Sequence, residues 1–423
     1  YRSLSQVLDR NPQVLDRVHA DLRQLSEGDG QGRQSDYTSE NILRALVVHG
    51  VEGLSFRETV VRIADSDFLQ DFLRMRKKVV MDFSFLDKCF LAVRPETWKA
   101  VNEILGRQAA REDVIDPAVI RTDTTVVEAN IHYPTDSSLL WDTWRVTSRW
   151  LGRARALDPA RCRHRFHDRK VKWLHLFITR YSASTSKSRQ RAVKAAFRAL
   201  IERVEWIVGI VEEFCRLPAT DDAELGGVAA ALKRQLTAMQ TVVNNARRAQ
   251  LQGETVPASE RVFSIFEPHV ELIKRGRRQK PVEFGHKILL CQTREKFITD
   301  YAVYEKQEAD CELTEPVIRR HQALFGAAPE VLAGDMGFCP AAEKLAELEG
   351  LVGTLAIPRR LRDFVDQVLV KWQAFRAGIE GTISGLKRAF RLFRCFYRGF
   401  KSFASSVGLG IFCHNLIVVA GSS

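Results

Sequence analysis

"VIDPAVIRTDTTVVEANIHYP", residues 114–134, changes the texture of the chain. Before it, apolar residues recur at helical intervals. Within it, β-branched residues run together, as in a strand buried on both faces. The stretch predicts a strand ending near Val127, and with it a mixed α/β core. Asp123 stands in the middle of that strand. A carboxylate there is costly to desolvate unless a charged partner or a metal ion compensates it, so one stretch sets the fold and nominates a site.

Strand texture returns at "KPVEFGHKILLCQT" and "KFITDYAVYEK" within residues 280–306, then at "EVLAGDMGF" (330–338) and "LVGTLAIP" (351–358). The core is therefore split. The segment between, about residues 141–258, reads as helical. Val193, Phe197, Leu200, Val204, Ile207, Val211 and Phe214 keep a heptad spacing, and so do Leu225, Ala229, Leu232, Leu236, Met239, Val243 and Ala246. The short polar link "LPATDD" makes these two runs an antiparallel hairpin, either an arm for a dimer or DNA, or a self-packed pair. The expected organisation is a helical N-terminal DNA-binding domain (1–112), a first core segment (113–140), the helical insertion (141–258), and a second core segment with C-terminal helices (259–423).

In the N-terminal part, "TSENILRALVVHGVEGLSFRETVVRIADSDFLQDFLRM" (38–75) has a helical apolar period broken between Gly50 and Gly53, and Ser55 with Glu58 forms a capping box. Two short helices about a glycine turn suit a helix-turn-helix DNA reader or an ordinary helical hairpin.

The chain has 423 residues, 45% hydrophobic and 27% charged, which excludes a disordered polymer. Its 64 Lys and Arg against 52 Asp and Glu give a formal charge of +12 and favour a polyanionic partner. Eight cysteines without C-x-x-C pairs fit reduced thiols in a cytoplasm. The first residues lack an initiator Met, which leaves truncation open, and lack the apolar core of a signal peptide. The most apolar stretch, 403–420, carries His414 and Asn415 and is expected to be a buried helix rather than a membrane anchor. Cations cluster at 145–172 (Arg161, Arg163 and Arg165 among them), at 274–280 (including Arg277 and Arg278) and at 387–401 (including Lys387, Arg388 and Arg391). Phosphate contacts are their simplest common explanation.

Asp335 repeats the theme of Asp123, an acid at the end of an apolar strand, where ligands of α/β sheets sit. In "FRAGIEGTISGLKRAFR" (375–391), Arg376, Glu380 and Lys387 fall within about 40° of one another on a helix, and Arg376 and Lys387 are expected to hold phosphates beside the acids, Arg as a fork and Lys as a point charge. Gly378, Gly381 and Gly385 are expected to let that helix approach the sheet, the site and a phosphate backbone. Two aspartates and a glutamate form an all-oxygen set suited to a pair of Mg²⁺ ions. Taken singly, each acid also has a plainer explanation: a strand-end acid can be a helix cap, and R-x3-E a surface ion pair.

Together these motifs resemble the DDE transposases of bacterial insertion sequences, the group with the helix signature Y-x2-R-x3-E-x6-K. "RTDTTVVEANIHYPTDSSLLWD" (121–142) is similar to that group's first-aspartate block, "SIFEPHVELIKRGRRQKPVEFGHKILL" (264–290) to the block that follows, and "LAGDMGF" (332–338) to the second-aspartate block. Arg376, Glu380 and Lys387 match R-x3-E-x6-K, while Gln373 stands where the signature has tyrosine. The resemblance implies an RNase H-like core with Asp123, Asp335 and Glu380 as catalytic, metal-binding residues. It further implies two Mg²⁺ ions (Mn²⁺ as substitute), cleavage at the element's terminal inverted repeats with strand transfer to target DNA, a homodimer on DNA, and a bacterial, nucleoid-associated protein. A resolvase-like nuclease that cuts without joining, or an inactive DNA-binding relic, are the alternatives.

Overall fold

The computed structural model describes residues 1–25, 36–75, 81–218, 220–274, 281–359 and 367–422. It divides into two compact units, Tyr1–Asn130 with Arg275–Ser423, and Ile131–Lys274.

The first unit holds a curled mixed sheet flanked by helices. Its longest strands are β1 (Val119–Ala129) and, after a short strand β2 (Glu271–Lys274) that closes the second unit, β3 (Val282–Thr293). The others are β4 (Ile298–Val303), β5 (Val331–Ala333), β6 (Thr354–Ala356) and β7 (Arg394–Cys395). Within this unit the strand order is β4-β3-β1-β5-β6, with β7 on the far end of β1. β3 runs antiparallel to both β1 and β4, whereas β5 and β6 run parallel to β1.

Asp123 lies opposite Leu290 and Thr124 opposite Leu289. Side chains alternate along a strand, so Arg121, Asp123 and Val127 share a face with Ile288 and Leu290. The helices Gln367–Ala389 and Phe400–Gly421 cover that face through Ile379, Leu386, Phe403 and Val407. Ile120, Leu289 and Cys291 point the other way, beneath Leu313 and Val317 of helix Asp310–Phe325 and Leu348 of helix Ala342–Leu351. Burial on both faces explains why β1 lacks an apolar–polar alternation.

Helix Phe400–Gly421 joins the sheet to the N-terminal helices. Phe403, Val407 and Ile411 pack towards the sheet, while Leu409, Phe412, Cys413 and Leu416 enter a core with Leu46, Val47, Trp98 and Val101. For this reason the segment expected to stand alone as residues 1–112 belongs to the same compact unit as the sheet. The contact is close. A Cβ on Gly408 would lie 2.5 Å from Trp98 Cβ, and one on Gly50 would lie 2.5 Å from Cys413 Sγ. Gly50 is accordingly an interior residue of helix Ser39–Glu52, and the expected break is made by Gly53 alone, at φ 61°. The Ser55–Glu58 capping box then opens helix Phe56–Ala64.

Among the described residues, Phe400–Gly421 is the one helix long and apolar enough to cross a membrane, and 72% of its apolar window is buried inside the protein. Asn415, fully buried within it, accepts a hydrogen bond from the Ile298 amide (2.8 Å) and donates to the Ile298 carbonyl (2.8 Å) and to Asn102 Oδ1 (2.9 Å). One side chain thus satisfies both backbone groups at the start of β4.

The second unit is helical: Asp136–Leu157, Asp168–Tyr181, Lys187–Arg216 and Ala223–Arg247. The heptad hairpin is present, but it does not pack only on itself. Val204, Ile207, Val211, Leu232 and Met239 share one core with Leu140, Trp144 and Leu151 of the first helix. Of the two expectations, a pair packed only on itself is corrected: the hairpin shares its core with the first helix of the same unit. Trp144 is buried and Trp141 and Trp150 pack at its margin, whereas Trp173 is exposed.

Replacing Asn415 with leucine should lower stability by about 3 kcal/mol, because it strands the buried amide and carbonyl of Ile298 and the side-chain oxygen of Asn102. Ile417→Ala, on the exposed side of the same helix, should change it by under about 1 kcal/mol. Urea denaturation compares them, and equal small effects would show that the Asn415 contacts contribute nothing net.

Candidate active site

Three separate segments bring the nominated acids together. Asp123 comes from the middle of β1, Asp335 from the turn that follows β5, and Glu380 from helix Gln367–Ala389. Between them lies the guanidinium of Arg376. Its Nη2 is 2.9 Å from Asp123 Oδ2 and 3.6 Å from Asp335 Oδ2, and its Nη1 is 3.1 Å from Glu380 Oε1. The Arg376 side chain is 17% exposed, that of Asp123 11%, and that of Glu380 64%. The site therefore has a buried floor and an open rim. Both plainer explanations hold as well: Asp335 caps the turn at Met336–Phe338 by accepting from the Gly337 amide, and Arg376 pairs with Glu380 one turn on.

Burial pushes the Asp123 carboxyl up to about 6, aided by Asp335 and Glu380 and opposed by Arg376 and the Thr124 amide. Three hard oxygen donors facing one cationic group suit a divalent cation such as Mg²⁺. Among the described residues, no three His, Cys, Asp or Glu side chains already form a metal-binding group; the acids are gathered around the arginine.

The helix is seated on the sheet by a second, buried arginine. Arg121, two residues before Asp123 on the same face of β1, donates from Nε to Gln292 Oε1 (2.9 Å) and from Nη1 to the Phe375 carbonyl (2.7 Å). Its guanidinium lies 4.9 Å from the centre of the Phe375 ring. Gln292 in turn donates to Thr382 Oγ1 at 2.8 Å. These contacts hold the helix on both sides of Arg376 and Glu380. Gly378 makes them possible, since a Cβ there would collide with the Arg121 guanidinium, whereas one on Gly381 or Gly385 would meet nothing within 4 Å. Of the three glycines, only Gly378 serves close approach to the sheet.

Gln373, at the signature's tyrosine position, donates to the carbonyls of Gly334 (3.0 Å) and Ala356 (3.1 Å). It fixes the helix to the ends of β5 and β6, next to Asp335. A fourth acid, Asp310, begins the helix under the opposite face. Lys287 Nζ stands 2.9 Å from it, and it lies 3.4 Å from Thr124 Oγ1. Alternation along β1 could have marked Arg121 from sequence; nothing local marks Asp310 or Lys287, which only the strand pairing brings near.

Of the cations expected to bind phosphate, Lys387 and Arg388 lie in the last turn of the helix and Arg391 follows it, exposed and at φ 58°. Arg161, Arg163 and Arg165 belong to the second unit. Arg161 is tied to Asp158 and the Pro218 carbonyl, and the other two are exposed. Arg277 and Arg278 lie outside the described residues. Compared with protein-family models, curated proteins and solved structures, the chain matches none.

Gly381→Ala and Gly385→Ala should each stabilise the protein by up to about 1 kcal/mol, the helix-propensity gain, whereas Gly378→Ala should destabilise it by displacing Arg121. Thermal unfolding orders the three, and a stabilising Gly378→Ala would refute the seating role of Arg121.

The raised carboxyl of Asp123 carries a sign for stability. The folded state binds this proton more tightly than the unfolded state, so its contribution is complete below the ordinary carboxylate range and is lost as pH rises through about 6. Asp123→Asn removes the ionisation. The stability of the variant relative to wild type should therefore rise between pH 4.5 and 7.5, by on the order of 2 kcal/mol. A difference independent of pH would mean that Arg376 fully compensates the charge.

Proposed function

We propose that the chain is a DNA transposase of the DDE type, which cuts at the ends of an insertion sequence and transfers the freed strands to target DNA. The observation that carries this reading is the convergence of Asp123, Asp335 and Glu380 from three segments on one point, in a protein of net charge +12. The strand order β4-β3-β1-β5-β6 with only β3 antiparallel to its neighbours supports an RNase H-like core, because it is the arrangement that such a core requires.

Asp123, Asp335 and Glu380 would hold two Mg²⁺ ions, or Mn²⁺ in their place. When bound, these supply Lewis-acid activation of a water or a 3′-hydroxyl and stabilisation of the leaving oxygen. The rest falls to the chain itself. The buried floor around Asp123 keeps the dielectric low, which strengthens every charge interaction at the reacting phosphate. Arg121 and Gln373 fix the helix so that Glu380 faces the two aspartates. Lys387, Arg388 and Arg391, continuing from the same helix, contact phosphates along the duplex, and Arg163 and Arg165 contact phosphates from the second unit. The partner is double-stranded DNA, element ends and target, with two copies of the chain acting on the two ends.

Glu380→Gln keeps the helix and the volume but removes one carboxylate. Mg²⁺-dependent nicking of a supercoiled plasmid carrying the DNA that flanks the gene should fall about 100-fold, a loss of about 3 kcal/mol. Binding of the same DNA should be retained, because the change removes a negative charge facing phosphate. An ordinary surface ion pair would leave the rate alone. Near-normal nicking by this variant overturns the assignment of Glu380. Nicking by wild type without joining of pre-cut ends would indicate a nuclease in place of a transposase.

A further inference from the structure

We propose that Arg376 is a latch on the site: in the DNA-free protein it holds the three carboxylates as their counter-ion, and it transfers to a backbone phosphate when DNA arrives. Metal affinity is then low in the free protein and is raised by DNA. The inference rests on the reading of Asp123, Asp335 and Glu380 as metal-holding residues, and it adds what controls their loading.

The geometry gives the reason. Nη2 of Arg376 contacts Asp123 and Asp335, and Nη1 contacts Glu380. A divalent cation held by these acids needs the same oxygens, so the guanidinium and the metal compete. Among the described residues the guanidinium is held through its terminal nitrogens. Its Nε has no hydrogen-bond partner among the described residues, and one of its three acids, Glu380, is 64% exposed. Arg121, against Gly378 two residues on, is by contrast tied to the buried Gln292 and to the Phe375 carbonyl. Arg376 also leads the face that continues to Lys387, where a duplex backbone would run, and a guanidinium fork matches phosphate oxygens as well as it matches carboxylates. A phosphodiester therefore offers Arg376 an equivalent partner and removes a positive charge from the carboxylates at the same time. By reciprocity, metal binding should also strengthen binding of that phosphate.

The test is a Mn²⁺ titration of the full chain without DNA, followed by electron paramagnetic resonance at pH 8. It compares wild type, Arg376→Gln and Arg376→Lys, each with and without Asp123→Asn. Arg376→Gln should bind Mn²⁺ about tenfold or more tightly than wild type, within the range of ordinary coupling energies. Arg376→Lys, with a single ammonium that cannot bridge three acids, should fall between, and it carries the comparison if the glutamine variant lacks a cooperative thermal transition. Asp123→Asn should abolish the gain, and a short duplex should raise the affinity of wild type towards that of the variants. Folded variants that bind Mn²⁺ no more tightly than wild type overturn the latch. If that happens while wild type still nicks DNA, the transposase reading stands and the latch falls. If the variants gain affinity through Asp123 while no chain nicks DNA, the latch stands and the transposase reading falls.

Discussion

A carboxylate in the middle of a buried strand is the constraint around which the rest of this structure is arranged. Asp123 cannot stand ionised between hydrophobic layers without compensation, and Arg376 supplies it at 2.9 Å. For Arg376 to reach, its helix must lie flat on that face of the sheet. Arg121, Gln292 and Gln373 give the helix polar anchors at the Phe375 and Thr382 turns and at the ends of β5 and β6. The compensation is incomplete, as the upward shift of the Asp123 carboxyl shows. An apolar residue of similar volume there would often be as stable or more so, so the acid is not explained by stability alone.

The same economy of space shapes the remainder of the first unit. Helix Phe400–Gly421 is apolar on nearly all sides because it lies between two cores, one on the sheet and one on the N-terminal helices. Such a sequence resembles a membrane span in composition, and what distinguishes it is where its polar atoms go. Asn415 is consumed by Ile298 and Asn102, and the Gly50 and Gly408 contacts let neighbouring elements come within van der Waals distance. Glycines in this chain therefore have to be judged one at a time. Gly50, Gly378 and Gly408 make room, Gly53 turns the chain, and Gly381 and Gly385 face open space.

Much of this was determined by the sequence itself. The β-branched run around Asp123, the strand-end position of Asp335 and the helical spacing of Arg376 and Glu380 are local patterns, legible because periodicity follows from backbone geometry. The heptads of the second unit and the Ser55–Glu58 cap are legible for the same reason. Only the tertiary structure decided which face each element buries and what it meets there. It packed the heptad hairpin into a four-helix core, merged residues 1–112 with the sheet, and brought Asp310 and Lys287 to the edge of the site from segments with no motif of their own. It also moved Arg376 from beside the acids to between them, a placement set by how the helix packs. Side-chain spacing along one helix fixes angles about its axis, but the distance and tilt between a helix and a sheet depend on residues far apart in the chain, here Arg121 beneath Gly378 and Gln373 against Gly334 and Ala356.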